Sequence, residues 1–217
     1  MRCQLDYIAT LDWDFACRKT IDDLPLGLSE TYTRILNRHS SNSNRLKIIL
    51  RALTWLIFAI RSLELKELAI ATVIDPAIEF DEEHRLDNDA LVLDYCGSLV
   101  KYNSVSKSVE ISHISITQYF KWRELDDMTN PYYLDESECH TLLLKSCFSW
   151  LSSMPFATSL KFGNLEEINA SMNHGFTNYA VRQWYCHGEK IEMTSKGCAE
   201  ICAFFDGMTF PVWAQLW

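Results

Sequence analysis

The side chains with chemical potential are six histidines, eight cysteines and a dense run of carboxylates. Cys139-His140 and Cys186-His187 each set a thiol beside an imidazole, the two groups of a nucleophilic pair. Neighbours on a helix point about 100° apart, so adjacency does not make a dyad. Each pair therefore reads as a buried thiol next to a surface imidazole. Cys186, His187, Cys198 and Cys202 would also supply zinc donors, and the last two share a helical face. Structural zinc sites more often use a tight Cys-x-x-Cys knuckle, which is missing, and neighbours such as Ala199 and Phe204 suit a core. Asp81-Glu82-Glu83 lacks the alternating oxygens and central glycine of a calcium loop and reads as a solvated acidic loop. No catalytic residue, metal ligand or cofactor is expected.

Glycine spacing excludes three enzyme classes. The seven glycines stand at 27, 97, 163, 175, 188, 197 and 207, and the nearest two are nine residues apart. A P-loop needs two glycines five apart, followed by lysine, to aim backbone N–H groups at phosphates. The dinucleotide fingerprint and the nucleophile elbow fail on the same spacing.

Charge argues against nucleic acid. Twenty basic against twenty-nine acidic side chains give a net charge of −9. From Asp75 to Asp94, eight carboxylates face the single Arg85. Arg34, Arg38, Arg45, Lys47 and Arg51 form a basic stretch that would contact phosphates, or pair with that acidic run. No signal peptide or membrane-length apolar run is present, and the cysteines lie among apolar neighbours. The expectation is a reduced, cytoplasmic protein with protein partners, no nucleic acid and no membrane.

The elements that must position these groups follow from periodicity and breakers. Helices are predicted over Tyr7–Asp23, from a Ser29 cap through Leu36, over Arg45–Ile60 and over Leu65–Val73. A cap at Asp87 or Asn88 starts a helix carrying Leu91, Val92 and Tyr95. Ser98–Tyr102 and Val109–His113 read as a hairpin around the 103–108 turn, and Ile114–Trp122 returns to helix. Asp126–Pro131 is the best linker. Helices follow over Glu136–Met154, Gly175–Cys186 and Ser195–Phe205, with Trp150, Phe156, Phe176, Tyr179, Trp184 and Tyr185 as core aromatics. The fold class is mainly α: a winged helix, three helices with a β-hairpin, followed by an all-helical domain. The boundaries are an N-terminal helical segment at 1–44, the winged helix at 45–125 and the helical domain at 131–217.

The order of motifs resembles a known family. Leu24-Pro25, Leu28, Thr31-Tyr32 and Arg34-Ile35-Leu36 resemble the "LPxxLxxTYxRIL" segment of fungal NACHT-type signalling NTPases. Trp55-Leu56, Arg61, Leu63, Leu65 and Glu67-Leu68-Ala69 resemble that family's "WLxxxxRPLxLxELA", with Ser62 in place of proline. Cys96-Gly97-Ser98-Leu99-Val100, His113-Ile114-Ser115-Ile116 with Tyr119-Phe120, and Tyr179-Ala180 with Trp184 and His187 resemble three further motifs. The resemblance covers nearly the whole chain. It corresponds to the winged helix of GPI inositol-deacylase type and the helical segment after it, which lie between a NACHT core and ankyrin-type repeats.

That resemblance implies a non-catalytic regulatory and protein-interaction module coupling nucleotide state to sensor repeats. Its partners would be a NACHT core or repeat domains, in cis or in trans. It carries one ligand role onto this chain: His113, at the strand-to-helix junction, would contact the β-phosphate of ADP when a NACHT core is present. The competing reading for His113 is a local hydrogen bond that serves the helix start. The alternative function is a DNA-binding winged helix, which the acidic stretch before Tyr95 opposes. The apolar end from Phe210 to Trp217 is expected to be exposed and to belong to a longer architecture.

Overall fold

The structure is a computed structural model that describes residues 27–78, 80–121, 130–153, 172–173, 175–191, 195–206, 213–214 and 216–217. The predicted Tyr7–Asp23 helix and the 126–129 part of the linker lie outside them.

Helix α1 spans Leu28–Asn37 and buries Thr31, Tyr32 and Leu36. Ser29, expected as its cap, lies inside it, and Gly27 is the N-cap. Helix α2, Ser43–Phe58, starts where Asn42 Oδ1 accepts the Arg45 N–H at 3.0 Å, satisfying a donor with no partner inside the helix. It buries Ile49, Ala52, Leu53, Trp55 and Phe58, the broad apolar surface of a central core helix. Strand β1 is only Leu63–Glu64 and leads directly into α3, Leu65–Val73. Glu67 holds that start by accepting the Glu64 N–H at 3.0 Å.

The acidic run is ordered by its own side chains. Asp81 Oδ1 accepts the Glu83 N–H, and His84 Nδ1 accepts the Asp81 N–H, around a short 3-10 turn at Glu82–His84. Asp81 and Glu83 are exposed, as a solvated loop requires. Asn88 Oδ1 accepts the Ala90 N–H at 2.9 Å in a turn that leads to α4, Leu91–Cys96, but the N-cap is Ala90 without a side-chain bond, so neither Asp87 nor Asn88 caps the helix as expected. Gly97, at φ 51°, then reverses the chain into β2, a backbone region that L side chains rarely adopt.

Strands β2, Val100–Asn103, and β3, Ser108–Ile111, form the expected hairpin. Strand β1 adds to it as a third antiparallel strand, in the order β1-β3-β2. Helix α5, Ile114–Lys121, follows and packs on α1. Asn130 Nδ2 donates to the Tyr119 carbonyl at 2.7 Å, and the Leu134 N–H donates to the Phe120 carbonyl at 2.8 Å. These bonds tie the end of the predicted linker to α5. Helices α6, Glu136–Ser153, α7, Thr177–Gly188, and α8, Ser195–Asp206, complete the elements.

The chain is mainly helical with a small three-stranded antiparallel sheet. Its buried apolar residues form one continuous cluster, from Tyr32 through the α2 face to Trp184 and Leu216. Trp55 lies at the centre, edge-on to Phe176 at 5.1 Å and Tyr179 at 5.4 Å, with its indole N–H donating to the Ala71 carbonyl. Such edge contacts add to the area burial of each ring. Of the six predicted core aromatics, Trp150, Phe176, Tyr179 and Trp184 are buried and Tyr185 is exposed. Phe156 lies outside the described residues.

Two local expectations are corrected. Helix α7 does not begin at Gly175. That residue turns at φ 53°, where a Cβ would meet Ile70 Cδ1 of α3 at 2.5 Å, so the turn suits glycine and the helix begins two residues later, at Thr177. The apolar end is not simply exposed. Leu216 is buried and the Trp213 indole donates to the Val181 carbonyl at 2.9 Å, while Trp217 stays exposed.

Candidate functional site

Two histidine junctions concentrate the polar chemistry. The first is the turn from β3 into α5. His113 is exposed there, and its Nδ1 accepts the Ser115 N–H at 3.2 Å, serving the first turn of α5. Ser115 Oγ lies 2.7 Å from the same nitrogen and 2.7 Å from Tyr32 Oη. An acceptor Nδ1 makes Ser115 the donor to it, and therefore Tyr32 the donor to Ser115. The tautomer follows: the His113 proton sits on Nε2, which has no hydrogen-bond partner among the described residues. The local reading and the ligand reading thus use different nitrogens. Thr33 Oγ1, 2.7 Å from Tyr119 Oη, and the tilted Tyr32–Tyr119 ring pair brace the junction from α1.

The second junction lies inside the helical half and was not expected. His140 and His187, read as surface imidazoles, are 2% and 0% exposed, and their Nδ1 atoms are 2.8 Å apart. A hydrogen-bond chain runs through them. The Ile60 N–H donates to Tyr179 Oη at 3.0 Å, and Tyr179 Oη lies 2.8 Å from His187 Nε2. An amide can only donate, and the acceptor that the described residues offer the hydroxyl proton is His187 Nε2. His187 then carries its proton on Nδ1 and donates to His140 Nδ1. The His140 proton is left on Nε2, facing Glu136 Oε1 at 3.8 Å, too long for a hydrogen bond. One direction of donation accounts for every bond of the chain, and the His140 Nε2–H alone ends it without a bond.

Burial holds both imidazoles neutral. It lowers His187 to about 3, with His140 and Lys190 adding to the effect. His140 is lowered by burial and by Lys190 and Lys121, against Glu136. Burial likewise pushes the Tyr179 hydroxyl up.

A signal for this pair was present in the sequence. His140 lies at i−3, i−4 and i−7 from Leu143, Leu144 and Cys147, on the apolar stripe of α6. His187 stands in the same relation to Trp184 and Ala180 on α7. A histidine on an apolar stripe needs a buried polar partner, and here each supplies the other.

The cysteine readings come apart at the same place. His187 has both nitrogens committed to His140 and Tyr179, leaving none for Cys186. Burial, with Asp135, Glu138 and Glu136 nearby, raises Cys139 to about 12, the reverse of what a thiolate nucleophile needs. Cys96, Cys139 and Cys147 are buried thiols, while Cys186 is half-buried and Cys202 exposed. Among the described residues no group of three or more potential ligands could hold a metal ion. The Cys198 side chain lies outside them, as does that of Phe204; Ala199 is exposed rather than packed in a core.

The basic stretch meets the acidic run. Asp75 accepts from Lys47 at 2.7 Å and pairs with Arg51 at 3.1 Å. The Lys47 hydrogen bond, with a backbone bond from Ala77 and the Arg51 charge, lowers its carboxyl to about 2. Arg45 lies over the Tyr95 ring and reaches the Asp94 carbonyl. Further along, the motif residues Arg61 and Glu67 form a two-pronged ion pair at 2.8 and 2.7 Å, with the guanidinium over the Tyr179 ring. Among the described residues no helix is long and apolar enough to cross a membrane.

Comparison with known proteins adds one relative. The chain is 26% identical over 176 residues to the azaphilone pigments biosynthesis cluster protein L of Monascus ruber. The alignment covers 77% of this chain and 36% of that protein, so the chain spans about a third of the length of the curated relative it matches. No protein-family model and no solved structure matches.

Proposed function

We propose that this chain is a non-catalytic regulatory and protein-interaction module built on a winged helix, of the kind found in NACHT-type signalling NTPases. Supporting the winged helix is the element order α2-β1-α3-α4-β2-β3 with the sheet order β1-β3-β2. A short first strand pairs with the return strand of the hairpin, and three helices lie between and before the strands. The following α6 and α7 pack against α2, which makes the helical segment a natural lever on the winged helix.

The observation that carries the functional reading is the His113 junction. Its Nδ1 is held by Ser115, and Ser115 by Tyr32, so Nε2–H is presented at an exposed position without a partner among the described residues. A phosphate oxygen of ADP in an adjoining NTPase core would accept from it. Nucleotide would then bias the packing between modules by binding one arrangement better than the other. Protein partners, a cytoplasmic setting and the absence of an intrinsic cofactor belong to this reading. The relative is named for a pigment biosynthesis cluster, and nothing in that name assigns it a reaction.

DNA binding is the weaker alternative. Lys47 and Arg51 are engaged by Asp75, and α4, in the position of a recognition helix, carries Asp94 and follows Asp87 and Asp89. The test of the main reading is ADP retention in a longer protein that carries this segment beside an NTPase core. His113→Ala should release ADP at least tenfold faster, and unchanged retention would sink the assignment.

A further inference from the structure

One buried hydrogen-bond chain joins α6 and α7 to the carboxyl end of α2, and its middle link is two nitrogens 2.8 Å apart. A pair at that separation holds one proton between them. We infer that His140 and His187 form a proton-operated latch: neutral, it holds α6 and α7 on α2, and protonated, it releases them.

The directions of donation force this result. A first proton on His140 makes both its nitrogens donors, so His187 must accept at Nδ1 and carry its proton on Nε2. A first proton on His187 also puts hydrogen on its Nε2. Either way Tyr179 Oη receives both Ile60 N–H and His187 Nε2–H, and its own proton loses its acceptor. A second proton sets two N–H groups and two cations face to face. The ring cage offers no water: His187, Tyr179 and Phe176 are 0% exposed, and Trp55 and Phe58 close the α2 side.

The charges around the pair also disfavour a cation. Lys121 of α5 sits over the Phe58 ring at 5.0 Å, and Lys190 follows α7; both oppose protonation. Arg61, beyond α2, lies over Tyr179 with its charge paired to Glu67. Among the described residues Glu136 of α6 is the one carboxylate that favours a charged His140, and its side chain is 55% exposed. Once α6 and α7 lift away, both imidazoles become ordinary solvated bases. Opening therefore takes up protons, and acid drives it. None of this depends on the nucleotide-switch reading.

Hydrogen exchange followed by mass spectrometry on the 217-residue chain, corrected for the intrinsic pH dependence of exchange, tests the latch. Below the ordinary imidazole range, the opening constant for amides of α6 and α7 should rise about tenfold per pH unit for each proton taken up. Amides of α3 and α4 should keep their protection over the same range. The open-state imidazoles set where the rise begins, so Glu136→Gln should carry the rise to lower pH before it levels off, and Lys190→Gln should end it at higher pH. His140→Phe should flatten the response; if that variant does not fold, the two surface substitutions still decide. The latch is overturned if α6 and α7 exchange is independent of pH, if it changes in step with α3 and α4, or if neither charge variant moves the pH at which the rise levels off.

Discussion

His113 and the His140–His187 pair place the same ring beside hydroxyl groups in opposite surroundings. At the β3–α5 turn, Ser115 occupies Nδ1, with Tyr32 bonded to the Ser115 hydroxyl, and Nε2 is left on an exposed residue. Between α6 and α7, Tyr179 and the second imidazole occupy three ring nitrogens, and the fourth faces Glu136. An exposed ring with a fixed tautomer suits recognition of an acceptor that arrives from outside. The buried pair spends three of its four ring nitrogens on bonds inside the core, so its chemistry is structural and responds to protons. Position relative to the core, not residue type, separates the two roles.

The largest contrast should come from truncation. His187→Ala leaves the Tyr179 hydroxyl proton and His140 Nδ1 without partners and opens a void beside Trp55, so it should cost on the order of 3–5 kcal/mol in urea unfolding. Tyr179→Phe keeps the ring but strands the Ile60 N–H and His187 Nε2, and about 2–3 kcal/mol is expected from the same measurement. A loss for Tyr179→Phe below a few tenths of a kcal/mol would break the claim that the chain of bonds is dry and continuous.

Acidification tests the same contrast without mutation. The folded pKa of His187 is depressed, so the unfolded state binds the extra proton. Stability is then complete above the ordinary histidine pKa and is lost as pH falls from about 6.5 toward about 3. Between pH 7 and pH 5 this amounts to about 2 kcal/mol for one such histidine, read from urea midpoints. Asp75 supplies a second acid-sensitive contact in a different window. Its depressed carboxyl stabilises above the ordinary Asp range, and that contribution disappears as pH falls toward about 2. Asp75→Asn should therefore cost about 1 kcal/mol at pH 7 and leave the loss between pH 7 and pH 5 unchanged.

The smallest effect should be at the exposed junction. His113→Ala removes one acceptor for the Ser115 N–H, which is worth about 0.5–1 kcal/mol in urea unfolding. A larger cost would mean that His113 is part of the core network and would remove the contrast.

Much of the architecture was legible from local pattern. The α3 boundaries agree with the expected Leu65–Val73, and α2, α6 and α8 begin or end within two residues of expectation. Apolar spacing and the Asp75-Pro76 breaker carry that information along a single segment. Strand β1 was not legible. Two residues have no period, and Leu63-Glu64 is a strand only because it pairs with Val109 and Ser108. The His113 turn carries a motif and its tautomer is set locally by the Ser115 N–H, whereas the bond from Tyr32, 83 positions from Ser115, is a tertiary contact.

The sequence by itself determined the helices, the hairpin, the missing phosphate loops and the acidic balance. Each of these depends on residue type and short spacing. Only the tertiary structure decided which titratable groups are neutral and whom they touch. His140 and His187 lie 47 positions apart, and no local rule says that their stripes face one another. Packing of α6 on α7 brings the rings together, excludes water and turns two ordinary bases into one shared hydrogen bond.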